Sequence, residues 1–208
     1  MKRCFIFGAL PIKELIFLPQ KDDFVIAADR GFITAKEFNI KPDLVVGDFD
    51  SLGYEPDVEK KIVLPTVKDD TDLCVALRYA LDKGFSDIYV FGAADGKTDH
   101  TFANIALAAN VSKKGAKCIF FGNNTHFTAI TNTSMEFIRA KGRVSVFSFG
   151  KDAFGVTLTG FEYNLENASL ESFVPLGVSN SFKKERCQIT VDDGTLIVMW
   201  EDKALPQF

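Results

Sequence analysis

Histidine and tryptophan are scarce, with 2 His and 1 Trp in 208 residues, and the 4 cysteines (Cys4, Cys74, Cys118, Cys187) stand far apart. No Cys-x-x-Cys pair or Cys/His ligand spacing occurs, which excludes a zinc ribbon or finger and leaves the thiols as buried or free groups. A basic surplus is missing too. Lys+Arg number 24 against 28 Asp+Glu, so the chain offers no positive field to neutralise a nucleic-acid backbone, and nucleic acid is not an expected partner. No apolar run approaches the length of a membrane span. The opening MKRCFIFGALPIKEL places two basic residues before a short apolar run, but Pro11, Lys13 and Glu14 interrupt it and no small-residue cleavage site follows. It reads as a first strand, and the expected location is cytoplasmic, away from membranes.

What is present is material for a core: 47% of residues are hydrophobic and 21 are Phe, which excludes disorder. Two patterns divide the chain. In the first, short apolar runs (3–7, 24–28, 44–46, 88–91 and 117–121) read as strands. Helical periodicity lies between several of them. The clearest helix is Asp72 to Lys83, with Leu73, Ala76, Leu77, Ala80 and Leu81 on one face and Gly84 as the stop. Another spans Thr101 to Asn110, with Phe102, Ile105, Ala106 and Ala109 as its stripe. Continuously apolar strands alternating with helices predict a mostly parallel sheet flanked by helices. After about residue 140 the helical period disappears. Runs at 143–149, 154–159, 188–191 and 195–200, joined by turns such as Asp193-Gly194, predict a small all-β sandwich domain. The expected organisation is an α/β domain over residues 1–135 and a β domain over 142–208, with the boundary in the polar stretch 131–142.

The chemistry gathers in acidic segments. In Gly47-Asp48-Phe49-Asp50-Ser51 two carboxylates follow a predicted strand, where open α/β sheets bind ligands. An extended backbone would point Asp48 and Asp50 to the same side, with Phe49 turned away. Two adjacent anions raise each other's pKa unless they share a cation, and a hard ion such as Mg²⁺ suits them; a simple turn is the alternative. In Lys68-Asp69-Asp70-Thr71-Asp72 more carboxylates collect at the start of the best helix, beyond what capping needs, and Asp69 and Asp72 would share a face. Asp29 follows another strand, and Arg30 beside it suits a phosphate oxygen. The loop Gly92 to His100 lies between a strand and a helix but is one residue short of the P-loop spacing. Its Lys97 and the helix start near Asp99 still make an anion site, and His100 also suits an ordinary helix-start role.

Taken together, Ala28-Asp29-Arg30-Gly31, Pro42 to Ser51, Lys68 to Asp72 and Asp99-His100-Thr101-Phe102-Ala103-Asn104 resemble the thiamine pyrophosphokinase family in its bacterial form. The resemblance extends more weakly through Gly177-Val178-Ser179-Asn180-Ser181-Phe182. It implies an α/β catalytic domain that binds ATP and Mg²⁺, a β-sandwich domain that binds thiamine, and a homodimer with the thiamine site between subunits. It implies that ATP and thiamine give AMP and thiamine diphosphate. On this reading Mg²⁺ goes to Asp48, Asp50 and Asp72, with Asp69 as a further ligand or as acceptor of the hydroxyl proton. Asp29, Arg30, Thr71, Lys97, Asp99 and His100 belong with the nucleotide, and Ser179 and Asn180 with the aminopyrimidine. Tyr163 and Trp200 are candidates to stack on a ring, although core packing is the leading reading of each. The chain departs from the family where Asp95-Gly96-Lys97 replaces the usual Gly-Gly-Arg, so an ammonium stands for a guanidinium. The rival readings are a phosphohydrolase with Asp48 as nucleophile and a non-catalytic nucleotide or thiamine sensor.

Overall fold

The computed structural model describes residues 3–67 and 69–208; Lys68, within the second acidic segment, lies outside them. The chain forms two compact units. The first takes in the residues up to Asn104 together with Cys118–Asn123, and the second takes in Ile105–Lys117 and Asn124–Phe208.

The first unit is α/β. Its elements are β1 (Arg3–Phe7), β2 (Phe24–Ala28), α1 (Gly31–Glu37), β3 (Leu44–Gly47), β4 (Lys61–Val63), α2 (Asp72–Asp82), β5 (Asp87–Phe91), the start of α3 (Thr98–Lys113) and β6 (Lys117–Phe121). The strands lie in the order β6-β5-β1-β2-β3-β4. β1 pairs in parallel with β2 and β5, and β2–β3 and β3–β4 are parallel as well. Successive strands therefore step outward from β1 to one side, whereas β5 and β6 fall on the other. The order reverses between β1 and β5, the crevice where such sheets bind ligands. The phenylalanines build much of the interior: Phe7 and Phe91 stack at 5.8 Å, Phe91 and Phe121 at 4.7 Å, and Phe17 meets Phe5 edge-on at 5.4 Å. Each of the fully buried rings, Phe5, Phe7, Phe91 and Phe121, contributes about 1.5–3 kcal/mol.

Helix α2 forms where its periodicity predicts, burying Leu73, Ala76, Leu77 and Ala80, and Gly84 takes the left-handed conformation at its end. Its cap is not an aspartate. Thr71 is the N-cap, its hydroxyl accepting from the Cys74 N–H at 3.2 Å, which releases the flanking carboxylates from capping. Helix α3 corrects the predicted stripe, because Phe102 is exposed and Ala108, Ala109 and Val111 are the buried residues. The cause is its first turns, where Thr101 and Asn104 face a cavity and leave Phe102 turned away.

The second unit carries β7 (His126–Thr131), β8 (Ser134–Ile138), β9 (Arg143–Ser148), β10 (Ala153–Thr159), β11 (Leu165–Leu170), β12 (Gly177–Ser181), β13 (Arg186–Thr190) and β14 (Thr195–Trp200). They make two arrays, β12-β9-β14-β7 and β11-β10-β13-β8, with antiparallel pairing within each. Strand β8 runs through the polar stretch read as a boundary; Met135 and Phe137 alternate inward and make it half-buried. Trp200 is a core residue, packed edge-on against Phe137 at 5.2 Å, with its indole N–H donating to the Ala204 carbonyl. Tyr163 is not: it is 70% exposed.

Candidate active site

Three strand ends in the first unit converge, and glycine makes their approach close enough. The Gly8 N–H, just past β1, donates to the Phe91 carbonyl at 2.7 Å, and the Leu10 N–H donates to the Gly92 carbonyl at 3.0 Å. A Cβ on Gly8 would meet that Gly92 carbonyl at 2.7 Å, and one on Gly92 would meet the Leu10 carbonyl at 2.3 Å. These backbones form one wall of a cavity of about 600 Å³. Asp29, Arg30, Thr71 and Asp72 line it from the ends of β2 and the start of α2. Lys97, His100 and Asn104 line it from the loop before α3 and from the helix. Asn104 also donates through Nδ2 to the Ala93 carbonyl at 2.7 Å, pinning the glycine loop to α3.

At this cavity the carboxylates of Asp29, Asp48 and Asp72 come together, each offering an oxygen within 4.8 Å of the others. The sequence places them far apart; the parallel register aligns the ends of β2 and β3, with the Asp29 N–H donating to the Val46 carbonyl at 2.8 Å. Ser51 steadies Asp29, its hydroxyl lying 2.7 Å from both carboxylate oxygens. Ser51 and Asn104 are positioning groups absent from the predicted site, although both stand within the motifs that carried the resemblance. An all-oxygen carboxylate set suits a hard divalent cation such as Mg²⁺ and excludes a soft-metal preference.

Asp50 is not in that group. β3 ends at Gly47, and Phe49 turns left-handed at φ +62° with its ring buried in a cluster with Ala27 and Val45. The left-handed turn costs about 1–2 kcal/mol, and burying the ring returns about 1.5–3 kcal/mol. The extended geometry expected for Asp48-Phe49-Asp50 is therefore replaced by a turn. Asp50 instead accepts from the Thr66 hydroxyl at 3.2 Å, and its N–H donates to Asp48 Oδ1. Asp70 lies in an ion pair with Arg78 at 2.9 Å and accepts from the Cys74 thiol at 3.4 Å. Burial, aided by that carboxylate, pushes the Cys74 thiol up. Asp69 is exposed. Asp99 is exposed at the start of α3, its carboxylate accepting from the His100 N–H. Asp95 is left-handed at φ +61°, a conformation aspartate tolerates, at a position where the resemblance leads one to expect glycine.

Of the residues predicted in the second unit, Ser179 lines a hollow of about 220 Å³ with Arg143, Ser145 and Trp200. Asn180 is buried. Its Oδ1 accepts from the Tyr163 N–H at 3.0 Å and its Nδ2 donates to the Tyr163 carbonyl at 2.7 Å.

The sequence matches two family descriptions: "Thiamin pyrophosphokinase, catalytic domain" over residues 17–120, and "Thiamin pyrophosphokinase, vitamin B1 binding domain" over residues 132–196. It is 30% identical over 182 residues to the thiamine pyrophosphokinase of Bacillus subtilis (strain 168), covering 84% of this chain and 85% of that protein. Among solved structures it resembles thiamine pyrophosphokinase from Bacillus subtilis, with a TM-score of 0.85 and 26% identity over 96% of this chain and 99% of that one. It also resembles the thiamin pyrophosphokinase of Geobacillus thermodenitrificans, with a TM-score of 0.81 and 25% identity over 96% and 97% of the two chains.

Proposed function

The chain belongs to the thiamine pyrophosphokinase family, and from that premise we infer how its residues divide the work of a thiamine diphosphokinase. The enzyme transfers pyrophosphate from ATP to the thiamine hydroxyl: the hydroxyl oxygen bonds to the β-phosphorus, the bond to the α,β-bridging oxygen breaks, and AMP leaves. The phosphohydrolase and sensor readings are not favoured by these relatives.

The observation that carries the division is the meeting of Asp29, Asp48 and Asp72 beside a glycine-walled cavity. ATP occupies that cavity in this proposal, its phosphates against Arg30, Lys97 and the backbone around Gly92, with Thr71, Asp99 and His100 at the nucleotide. Asp48 and Asp72 hold Mg²⁺, joined by Asp29, while Asp50 supports the turn that presents Asp48. A cation held there supplies charge neutralisation for the transferred phosphates. Asp69, exposed just before α2, remains the candidate to accept the hydroxyl proton. Residues 1–135 form the catalytic domain and 142–208 the thiamine-binding domain, where Ser179 and the Asn180 segment meet thiamine and Tyr163 offers an exposed ring. Homodimer assembly and a cytoplasmic location complete the proposal. Exposed Phe173, Val174, Leu176 and Val178 supply apolar surface for assembly. Among the described residues no helix is long and apolar enough to cross a membrane.

Purified protein incubated with ATP, Mg²⁺ and thiamine should release AMP and thiamine diphosphate in equal amounts. Phosphate release without thiamine, or ADP with thiamine monophosphate, would overturn the reading.

A further inference from the structure

The connection from β1 to β2 departs from its neighbours. Parallel strands are ordinarily joined by a helical crossover, as α1 joins β2 to β3, but the described residues 8–23 form neither helix nor strand. Pro11 and Pro19 withhold backbone donors along the segment. Irregular connections of this length are uncommon in compact domains and, when ordered, usually serve binding. This one is a strap fixed at three places in the first unit. Its far half is anchored by Phe17, edge-on to Tyr89 at 4.9 Å and to Phe121 at 5.9 Å. Its near end is tied by the Leu10 N–H to the Gly92 carbonyl. Between these two the hold comes from a side chain. Asn123, just past β6, accepts from the Lys13 N–H at 2.9 Å through Oδ1 and donates through Nδ2 to the Pro11 carbonyl at 3.0 Å. One amide thus meets a donor and an acceptor that a helix or sheet would otherwise have satisfied. Asn123 is exposed and adds nothing to the core; what its bonds fix is the place of Leu10 and Pro11, which line the 600 Å³ cavity. Leu10 in turn lies on the glycine loop, because a Cβ on Gly96 would meet Leu10 Cδ1 at 2.7 Å. Lys97 follows directly.

We propose that Asn123 is a positioning residue for the nucleotide: by clamping Pro11 and Lys13 it holds Leu10 against Gly96, so that the strap and the glycine loop present one preformed wall to ATP. Asn123 lies outside the lining of the cavity and acts only through the strap. A wall held in place before binding spares the nucleotide the cost of ordering it, which is felt as affinity. The proposal rests on ATP occupying this cavity, and the measurements below separate that reading from the clamp.

Hydrogen exchange and steady-state kinetics of the full chain would compare the wild type with Leu10→Ala, Asn123→Ala and the double variant. Without nucleotide, Asn123→Ala should speed exchange of the Leu10 N–H about fivefold, the worth of one net hydrogen bond, although Asn123 bonds only the residues beyond it. The same variant should raise the KM for ATP about fivefold and move kcat and the KM for thiamine less than about twofold. The double variant should be no worse toward ATP than the worse single one, because Leu10→Ala already removes the contact that the clamp supports. Exchange at Leu10 equal to wild type would overturn the proposal, as would effects of the two substitutions that multiply. A lower melting temperature with kcat reduced and the KM for ATP unmoved would show a merely structural role and would overturn it as well. If ATP and Mg²⁺ fail to slow exchange of the strap in the wild type, the assignment of ATP to this cavity falls and the nucleotide role of Asn123 with it, even where Asn123→Ala loosens Leu10.

Discussion

At the residue scale the acids near the cavity differ by what else holds them. Asp29, Asp48 and Asp72 converge on one another, whereas Asp70 pairs with Arg78 and Asp50 accepts from the Thr66 hydroxyl. Replacing each by asparagine preserves shape and removes one charge, so the losses should rank by membership of the converging set. Asp48→Asn and Asp72→Asn should lower kcat/KM by more than about 100-fold, beyond the 10–100-fold typical of an outer partner, with Asp29→Asn close behind. Asp70→Asn and Asp50→Asn should lose less, and Asp70→Asn should lose about 1 kcal/mol or less of stability because its ion pair is half exposed. Rates at saturating and limiting Mg²⁺, with melting temperatures, would check the ranking; equal losses across all five would mean a diffuse acidic surface. Asp29 joins the set through strand register, which no local spacing encodes. That is why the sequence suggested Asp50, two positions from Asp48, in its place.

At the level of elements, legibility follows burial. Past the charged first residues Arg3 and Lys117, the strands 3–7, 24–28 and 117–121 are apolar because both faces of the sheet are covered, and they could be read directly. Helix α2 was legible because one face is apolar at a period of 3.6. Strand β11 exposes Glu166, Asn167 and Ser169 and β12 exposes Val178 while burying Asn180, so neither shows a clean apolar alternation, and α1 is a helix of seven residues, too short to show a period. What anchors the first strand was equally silent. Arg3 on β1 donates to Asp23, just ahead of β2, at 2.8 Å through Nε and again through its second guanidinium nitrogen. Burial works against ionisation of Asp23, but Arg3 and the Gln20 N–H outweigh it and hold the carboxyl below its ordinary value. A depressed carboxylate stabilises the fold above its unfolded pKa of about 3.9, and that stability is lost as pH falls through the lower folded value. Asp23→Asn should therefore cost about 1.5–3 kcal/mol at pH 7, the worth of a charged hydrogen bond. The gap from wild type should close as the pH drops below 4. Melting curves from pH 7 to pH 2 would test this, and a gap that stays constant would refute it.

For the whole molecule, the decisive feature is apolar surface that the single chain leaves in water. Phe173 is 97% exposed and Leu176 63%, with Val174 and Val178 at about half, all between β11 and β12 or within β12. Scattered exposed residues need no explanation, but four so close in sequence, around the segment that carries Ser179 and Asn180, form a surface that water disfavours. Each large side chain covered by a partner recovers about 1.5–3 kcal/mol, and a symmetric dimer uses the same patch twice. The proposed homodimer should accordingly be sensitive here. Phe173→Asp combined with Leu176→Asp removes both large anchors without touching the buried core. Light scattering should find the wild type as a dimer at micromolar concentration and the double variant as a monomer, with each chain's melting cooperativity retained. Because the resemblance places the thiamine site between subunits, the monomer should also show a raised thiamine KM that higher protein concentration restores. A wild-type chain that is monomeric and fully active would remove both the dimer and the shared site.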